Sequence, residues 1–175
     1  VDDLLLPGGN LRESSAGAKR ADVIVVTKCP SDLSEKEMLG IIDKLGPKSH
    51  QKVFFTSIKY SEKIFSANSE IALDEVGKEH FTLVTGIANP KPLLNFLKKK
   101  GIQLKHFKYP DHHNFSEEEI IKLKKESKIL TTEKDYMRLK DYLNQEDLYY
   151  LPIEVGFLKE AEQFNNLILN FINKK

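Results

Sequence analysis

The sequence predicts an α/β protein, a three-layer α/β/α sandwich around a mainly parallel sheet. Three observations point to it. Short, β-rich apolar runs recur along the chain; helical periodicity fills most of the gaps between them; and VIVV (23–26) and FTLV (81–84) are apolar without alternation, as strands buried on both faces are. With 175 residues, 40% of them hydrophobic and 30% charged, the chain can fill one sizeable core, so a single domain over 1–175 is expected.

Strands are expected at 23–26, 53–58, 81–87, 102–109, 128–132 and 148–155. The first helix starts at LSEKEM, where Ser34 and Glu37 have capping-box spacing and Leu33 and Met38 that of a hydrophobic staple. Residues 66–80 are polar and turn-rich, which predicts an irregular surface excursion. In ANPKPLLNFLKKKG, Asn89 is placed to cap, Pro90 suits the first helical position, and Gly101 can end the helix in a left-handed conformation. FSEEEI repeats the capping box with Ser116 and Glu119, and Phe115 can pack on Ile120. Tyr136, Leu139, Tyr142 and Leu143 follow helical spacing. Finally Phe164, Leu167, Ile168, Phe171 and Ile172 form one stripe, which predicts a C-terminal helix packed on the sheet.

Composition excludes several function classes. Lys and Arg total 27 against 26 Asp and Glu, a net charge of +1, so the chain carries no broad field for nucleic acid. Cys29 is the single cysteine, which excludes an internal disulfide and a cysteine-based zinc site and suits a reducing cytoplasm. No apolar run approaches the roughly 18–20 residues needed to cross a bilayer, so a membrane role would be peripheral. The chain opens at Val1 and soon enters LLLPGGNLRES, which reads as the interior of a protein; an N-terminal portion is expected before it. Neither GxxxxGK[ST] nor GxGxxG occurs, so a nucleotide function would need a phosphate cradle from another segment.

In open α/β sheets ligands gather beyond the C-terminal ends of the strands. Four polar loops have that position: TKCPSD (27–32), TGIANP (85–90), YPDHHNF (109–115) and TTEKD (131–135). In YPDHHNF a histidine beside a carboxylate can act as acid, base or ligand near neutral pH, or the loop can simply be closed by Asp111 accepting backbone hydrogen bonds. TTEKD offers helix-start amides and Lys134 to an anion, or Thr132 only caps the helix while Glu133 and Asp135 complement its dipole. Lys28 follows a buried strand, where nucleotide folds often meet a base or phosphate, and Arg12 in NLRES can fork onto a phosphate.

Taken in order, LLLPGGNLRES, KRADVIVVTKCP, VTGIANPKPLLNFLKKKG, FKYPDHHNFSEEEI, ILTTEKDYMRL and LYYLPIEV resemble the C-terminal part of the tetraacyldisaccharide 4'-kinase family, the lipid A 4'-kinases of Gram-negative bacteria. The resemblance runs from about Leu4 to the final helix; it departs where the family's LLPAGPLREP is LLPGGNLRES and its GIGNP is GIANP. It implies the C-terminal half of a P-loop kinase whose N-terminal domain carries the P-loop and catalytic aspartate. The intact enzyme would move the ATP γ-phosphate, with Mg²⁺, to the 4'-hydroxyl of a lipid disaccharide 1-phosphate. Asp111 and His112 match the family's Asp-His pair and Arg12 its LRE arginine, as catalytic candidates. Thr27 and Lys28 match the strand end near the adenine, and Thr132 to Asp135 match the TEKD stretch; Thr27, Lys28, Thr132, Glu133 and Lys134 are the nucleotide-binding candidates. ATP and Mg²⁺ would be held mainly by the N-terminal domain, with no metal held by this chain, and the fragment would be inactive alone. The partners implied are that P-loop domain, the lipid A disaccharide and the cytoplasmic surface of the inner membrane. Two rivals are a DHH-type metal-dependent phosphoesterase and a non-catalytic α/β interaction module; the first is weakened because His50, His80 and His106 sit in no ligand pattern.

Overall fold

Both capping boxes form. Ser34 Oγ accepts from the Glu37 N–H and the Glu37 carboxylate from the Ser34 N–H, starting α1 (Glu35–Leu45). Ser116 and Glu119 repeat the exchange at α3 (Glu117–Leu123). At α2 (Lys91–Lys99), Pro90 takes the cap position while Asn89 Oδ1 accepts from the Lys91 N–H, and Gly101 adopts φ 76°, the left-handed ending that glycine permits.

This computed structural model describes residues 15–173, which fall into two compact units: 15–59 with 155–173, and Tyr60–Glu154. The α/β class and a parallel-rich sheet stand, but the strands are shared between two sheets.

In the first unit β1 (Val23–Cys29) pairs in parallel with β2 (Lys52–Tyr60), and β9 (Ile153–Phe157) lies on the other side of β2. Phe54 on β2 is 2% exposed and takes Phe157 and Phe164 edge-on. Two expectations are corrected here. VIVV is not buried on both faces: β1 has β2 as its one strand neighbour among the described residues, and Val25 stays exposed. The C-terminal helix, α5 (Ala161–Ile172), packs through Phe164 alone among its ring contacts, and Ile168, Phe171 and Ile172 are exposed.

The second unit holds a six-stranded sheet in the order β4-β3-β8-β7-β5-β6. β5 (Phe81–Thr85), β6 (Lys105–Lys108), β7 (Lys128–Thr132) and β8 (Leu148–Leu151) are mutually parallel, while β3 (Lys63–Phe65) and β4 (Glu70–Ala72) form an antiparallel extension. Alternation along the strands builds two cores. Leu83, Leu130 and Tyr149 face α2 through Leu93 and Leu97, whereas Val84, Ile129 and Leu148 face Ile120 and Leu123 of α3 and Tyr136 and Leu139 of α4 (Glu133–Leu139). This unit is therefore a three-layer sandwich.

Three further expectations change. The run 148–155 is not one strand, because Pro152 lacks the N–H a ladder needs and the chain passes there from β8 in one sheet to β9 in the other. The stretch 66–80 is not a surface excursion: it contains β4 and a 3-10 turn (Leu73–Lys78) that buries Leu73 and Val76 almost completely. Its polar letters hide two core residues. Tyr142 is exposed, because α4 ends at Leu139 and helical spacing no longer applies.

Candidate active site

Strand order sets the place. From β5 the chain goes through α2 to β6 on one side, and it then crosses to β7 on the other side of β5. α2 packs on one face and α4 on the opposite one, so the connections leaving β5 and β7 diverge at their C-terminal ends. Such a switch point opens a crevice where α/β sheets bind ligands.

Three of the four polar loops meet there. Asp135, with no exposed surface, is the anchor: its Oδ2 accepts from the Gly86 N–H after β5 at 2.8 Å and from Thr132 Oγ1 after β7 at 2.9 Å. Thr132 Oγ1 in turn accepts from the Asp135 N–H, capping α4. The approach is close enough that a Cβ on Gly86 would lie 3.0 Å from Asp135 Oδ1 and 3.4 Å from the Pro110 carbonyl oxygen. Space, not φ, favours glycine here.

The loop after β6 is held to the same end of the sheet by the Tyr109 N–H on the Thr85 carbonyl, 2.7 Å. Asp111 Oδ1 accepts from its neighbour's backbone, His112 N–H, at 3.0 Å, and receives the Lys134 ammonium at 2.5 Å. That Lys134 hydrogen bond is the largest cause holding the Asp111 carboxyl below the usual carboxylate range, so it is ionised at neutral pH. His112 has φ 58°, a left-handed backbone that non-glycine residues adopt at a cost, histidine less rarely than most. That turn separates the two histidines. His112 is exposed and reaches Arg138, whose Nη2 donates to Nδ1 at 3.0 Å. His113 goes inward, stacked on Tyr109 at 4.8 Å between ring centroids, edge-on to Phe115, with Nε2 2.8 Å from Glu119 Oε2. Glu119 is the capping-box carboxylate of α3; the Ser116 N–H first and His113 second hold its pKa below the usual value. His113 thus belongs to the loop's structure.

Arg138 completes the cluster. Its Nη1 lies 3.6 Å from Asp135 Oδ1; both atoms are buried without a hydrogen bond and face each other at ion-pair distance. The crevice therefore carries two cations, each tied to a carboxylate, with one imidazole between them. This arrangement can orient and neutralise a phosphate oxygen without covalent chemistry. Among the described residues no group of three His, Cys, Asp or Glu side chains is placed to hold a metal.

Asp111, His112, Thr132 and Lys134 are thus brought together. Glu133 stands beside them, exposed in the first turn of α4. Thr27 and Lys28 lie at the end of β1 in the first unit, Lys28 at φ 58° where the pairing register with β2 shifts. Arg12 lies outside the described residues. The sequence did not single out Gly86 or Arg138 for the site, and it offered Asp135 only as the end of the TEKD stretch. The spacing Thr132-x-x-Asp135-x-x-Arg138, two successive i,i+3 steps along one helix face, was the available signal.

The family described as Tetraacyldisaccharide-1-P 4'-kinase matches residues 1–173. The chain belongs to this kinase family. It is 43% identical over 177 residues to the tetraacyldisaccharide 4'-kinase of Flavobacterium johnsoniae, covering 99% of this chain and 52% of that protein. To the same-named protein of Bacteroides thetaiotaomicron it is 38% identical over 197 residues, with 99% and 52% covered. A crystal structure of LpxK from Aquifex aeolicus, an "apo" form in complex with ATP, matches with a TM-score of 0.62 at 24% identity, over 96% of this chain and 48% of that one. That likeness establishes a shared fold. The chain spans about half the length of the curated tetraacyldisaccharide 4'-kinases it matches.

Proposed function

We propose that the chain is the C-terminal portion of an ATP-dependent lipid kinase that phosphorylates the 4'-hydroxyl of the tetraacyldisaccharide 1-phosphate precursor of lipid A. The observation that carries this reading is the convergence of Asp111, His112, Lys134 and Arg138 at the switch point of the second unit. Phosphoryl transfer asks for positioning and charge neutralisation, and two cations flanking an imidazole suit that demand. Convergence of three loops speaks against the interaction-module rival, whose loops would be only turns and caps. The family assignment favours the kinase over the phosphoesterase.

The described residues at the crevice do not suit Mg²⁺. At the crevice mouth Asp111 is already paired with Lys134, whereas Mg²⁺ needs an octahedron of oxygens. The P-loop and the metal are therefore assigned to the N-terminal portion of the intact protein. Arg12 is assigned to phosphate or acceptor contact, and Thr27 and Lys28, with Thr132, Glu133 and Lys134, to the nucleotide. Among the described residues no helix is long and apolar enough to cross a membrane, and a peripheral position on the cytoplasmic face of the inner membrane fits a lipid acceptor.

The test is transfer from ATP to the disaccharide. The 175-residue chain alone is expected to give no product, and co-expression with an N-terminal half carrying a P-loop is expected to restore it. Turnover by the chain alone, or stoichiometric Mn²⁺ or Zn²⁺ in the purified protein, would overturn the proposal.

A further inference from the structure

We propose that Arg138 is a positioning residue that sets the tautomer of the His112 imidazole, with the ring proton on Nε2. Arginine has five N–H donors, no acceptor, and no accessible neutral form. In the 3.0 Å contact between Arg138 Nη2 and His112 Nδ1 the guanidinium is therefore the donor, and Nδ1 must offer a lone pair. A neutral ring with a lone pair on Nδ1 carries its hydrogen on Nε2. The other neutral tautomer would set N–H against N–H, so this contact selects one tautomer of the ring.

The arginine is itself held. Buried Asp135 faces Arg138 Nη1 at 3.6 Å and is fixed by the Gly86 N–H and Thr132 hydroxyl, so the orientation runs from the sheet through Asp135 and Arg138 to an exposed imidazole. His112 Nε2 is 3.8 Å from Asp111 Oδ2, beyond hydrogen-bond length, which leaves its N–H available to an incoming acceptor. A phosphate oxygen is such an acceptor. His112 then serves as a hydrogen-bond donor and not as the base that takes the acceptor hydroxyl's proton. This inference rests on the proposed working role of His112.

The test uses the intact enzyme, labelled with ¹⁵N-histidine, with His112→Gln to identify the ring resonances at high pH. Expected are an unprotonated Nδ1 and a protonated Nε2. Arg138→Met is expected to weaken that preference to the smaller one of a free imidazole and to lower kcat at least about tenfold, short of the roughly 10²–10³-fold of losing a whole transition-state hydrogen-bond donor. Arg138→Lys, which keeps a donor, should recover part of both. A protonated Nδ1 in the parent enzyme, or an unchanged tautomer in Arg138→Met, would overturn the proposal; the parent spectrum decides even if the variant does not fold. Full turnover by His112→Gln would overturn the working role of His112, while the nitrogen shifts judge the link to Arg138 separately.

Discussion

Replacing Asp135 with alanine removes the carboxylate that ties the loop after β5 to the start of α4 and faces Arg138. The fully buried side chain accepts from the Gly86 N–H at 2.8 Å and from Thr132 Oγ1 at 2.9 Å, and it faces Arg138 at 3.6 Å. Deleting it leaves the buried Gly86 N–H without a partner, about 1–3 kcal/mol. It also strips the counter-charge from a guanidinium nitrogen that has no hydrogen bond, and breaking a buried ion pair from one side costs about 3–5 kcal/mol in all. The two figures overlap, since both count desolvated partners left behind, so a total of about 3–5 kcal/mol is expected. Urea denaturation of Asp135→Ala beside the parent chain measures it. A loss below about 1 kcal/mol, the range of exposed ion pairs, would refute the assignment of Asp135 as the anchor.

Other perturbations have equally definite outcomes. Burial first, and Lys108 second, lower the His106 pKa from 6.5; its Nε2 lies 2.9 Å from the buried Thr85 hydroxyl. A histidine with a depressed folded value contributes stability that is full above its unfolded value and is lost as pH falls through the folded one. The urea midpoint should therefore drop as pH falls below about 6.5, and His106→Gln should flatten part of that drop. Leu123→Ala empties a fully buried site between α3 and the sheet and should cost about 2–5 kcal/mol by the same denaturation assay. Lys134→Met removes the largest cause of the lowered Asp111 pKa, so a carboxylate NMR titration should find that value risen toward its ordinary range.

The sequence was most legible where the signal is local. Ser34 with Glu37, Ser116 with Glu119, and Gly101 each act within a few residues, and each forms as its spacing implies. Legibility fell where the outcome depends on distant partners. VIVV reads as a buried strand, yet burial requires neighbours on both sides of β1, which lie beyond any local pattern. Leu73 and Val76 sit among polar residues and are buried because β3, β5 and α2 supply the other half of their core. The site divided in the same way. Asp111 and His112 were visible as chemistry in one loop, and the order of the loops along strand ends was visible too. Arg138 was not, and Asp135 was visible only as the end of the TEKD stretch, because an acid and a base three residues apart near a helix start ordinarily serve the helix. Only the pairing of β5 with β7, which sets Gly86 against Asp135, turns them into parts of the site.

The proposed division of labour between two adjacent histidines can be tested most directly by turnover of the intact enzyme carrying His112→Ala or His113→Ala. His112 is exposed toward the crevice, and His113 is stacked on Tyr109 and bound to Glu119. His112→Ala should lower kcat by about 10²-fold or more with little change in melting temperature, and His113→Ala should lower the melting temperature while kcat stays close to that of the parent. Equal losses of kcat, or a larger one from His113→Ala, would contradict the account.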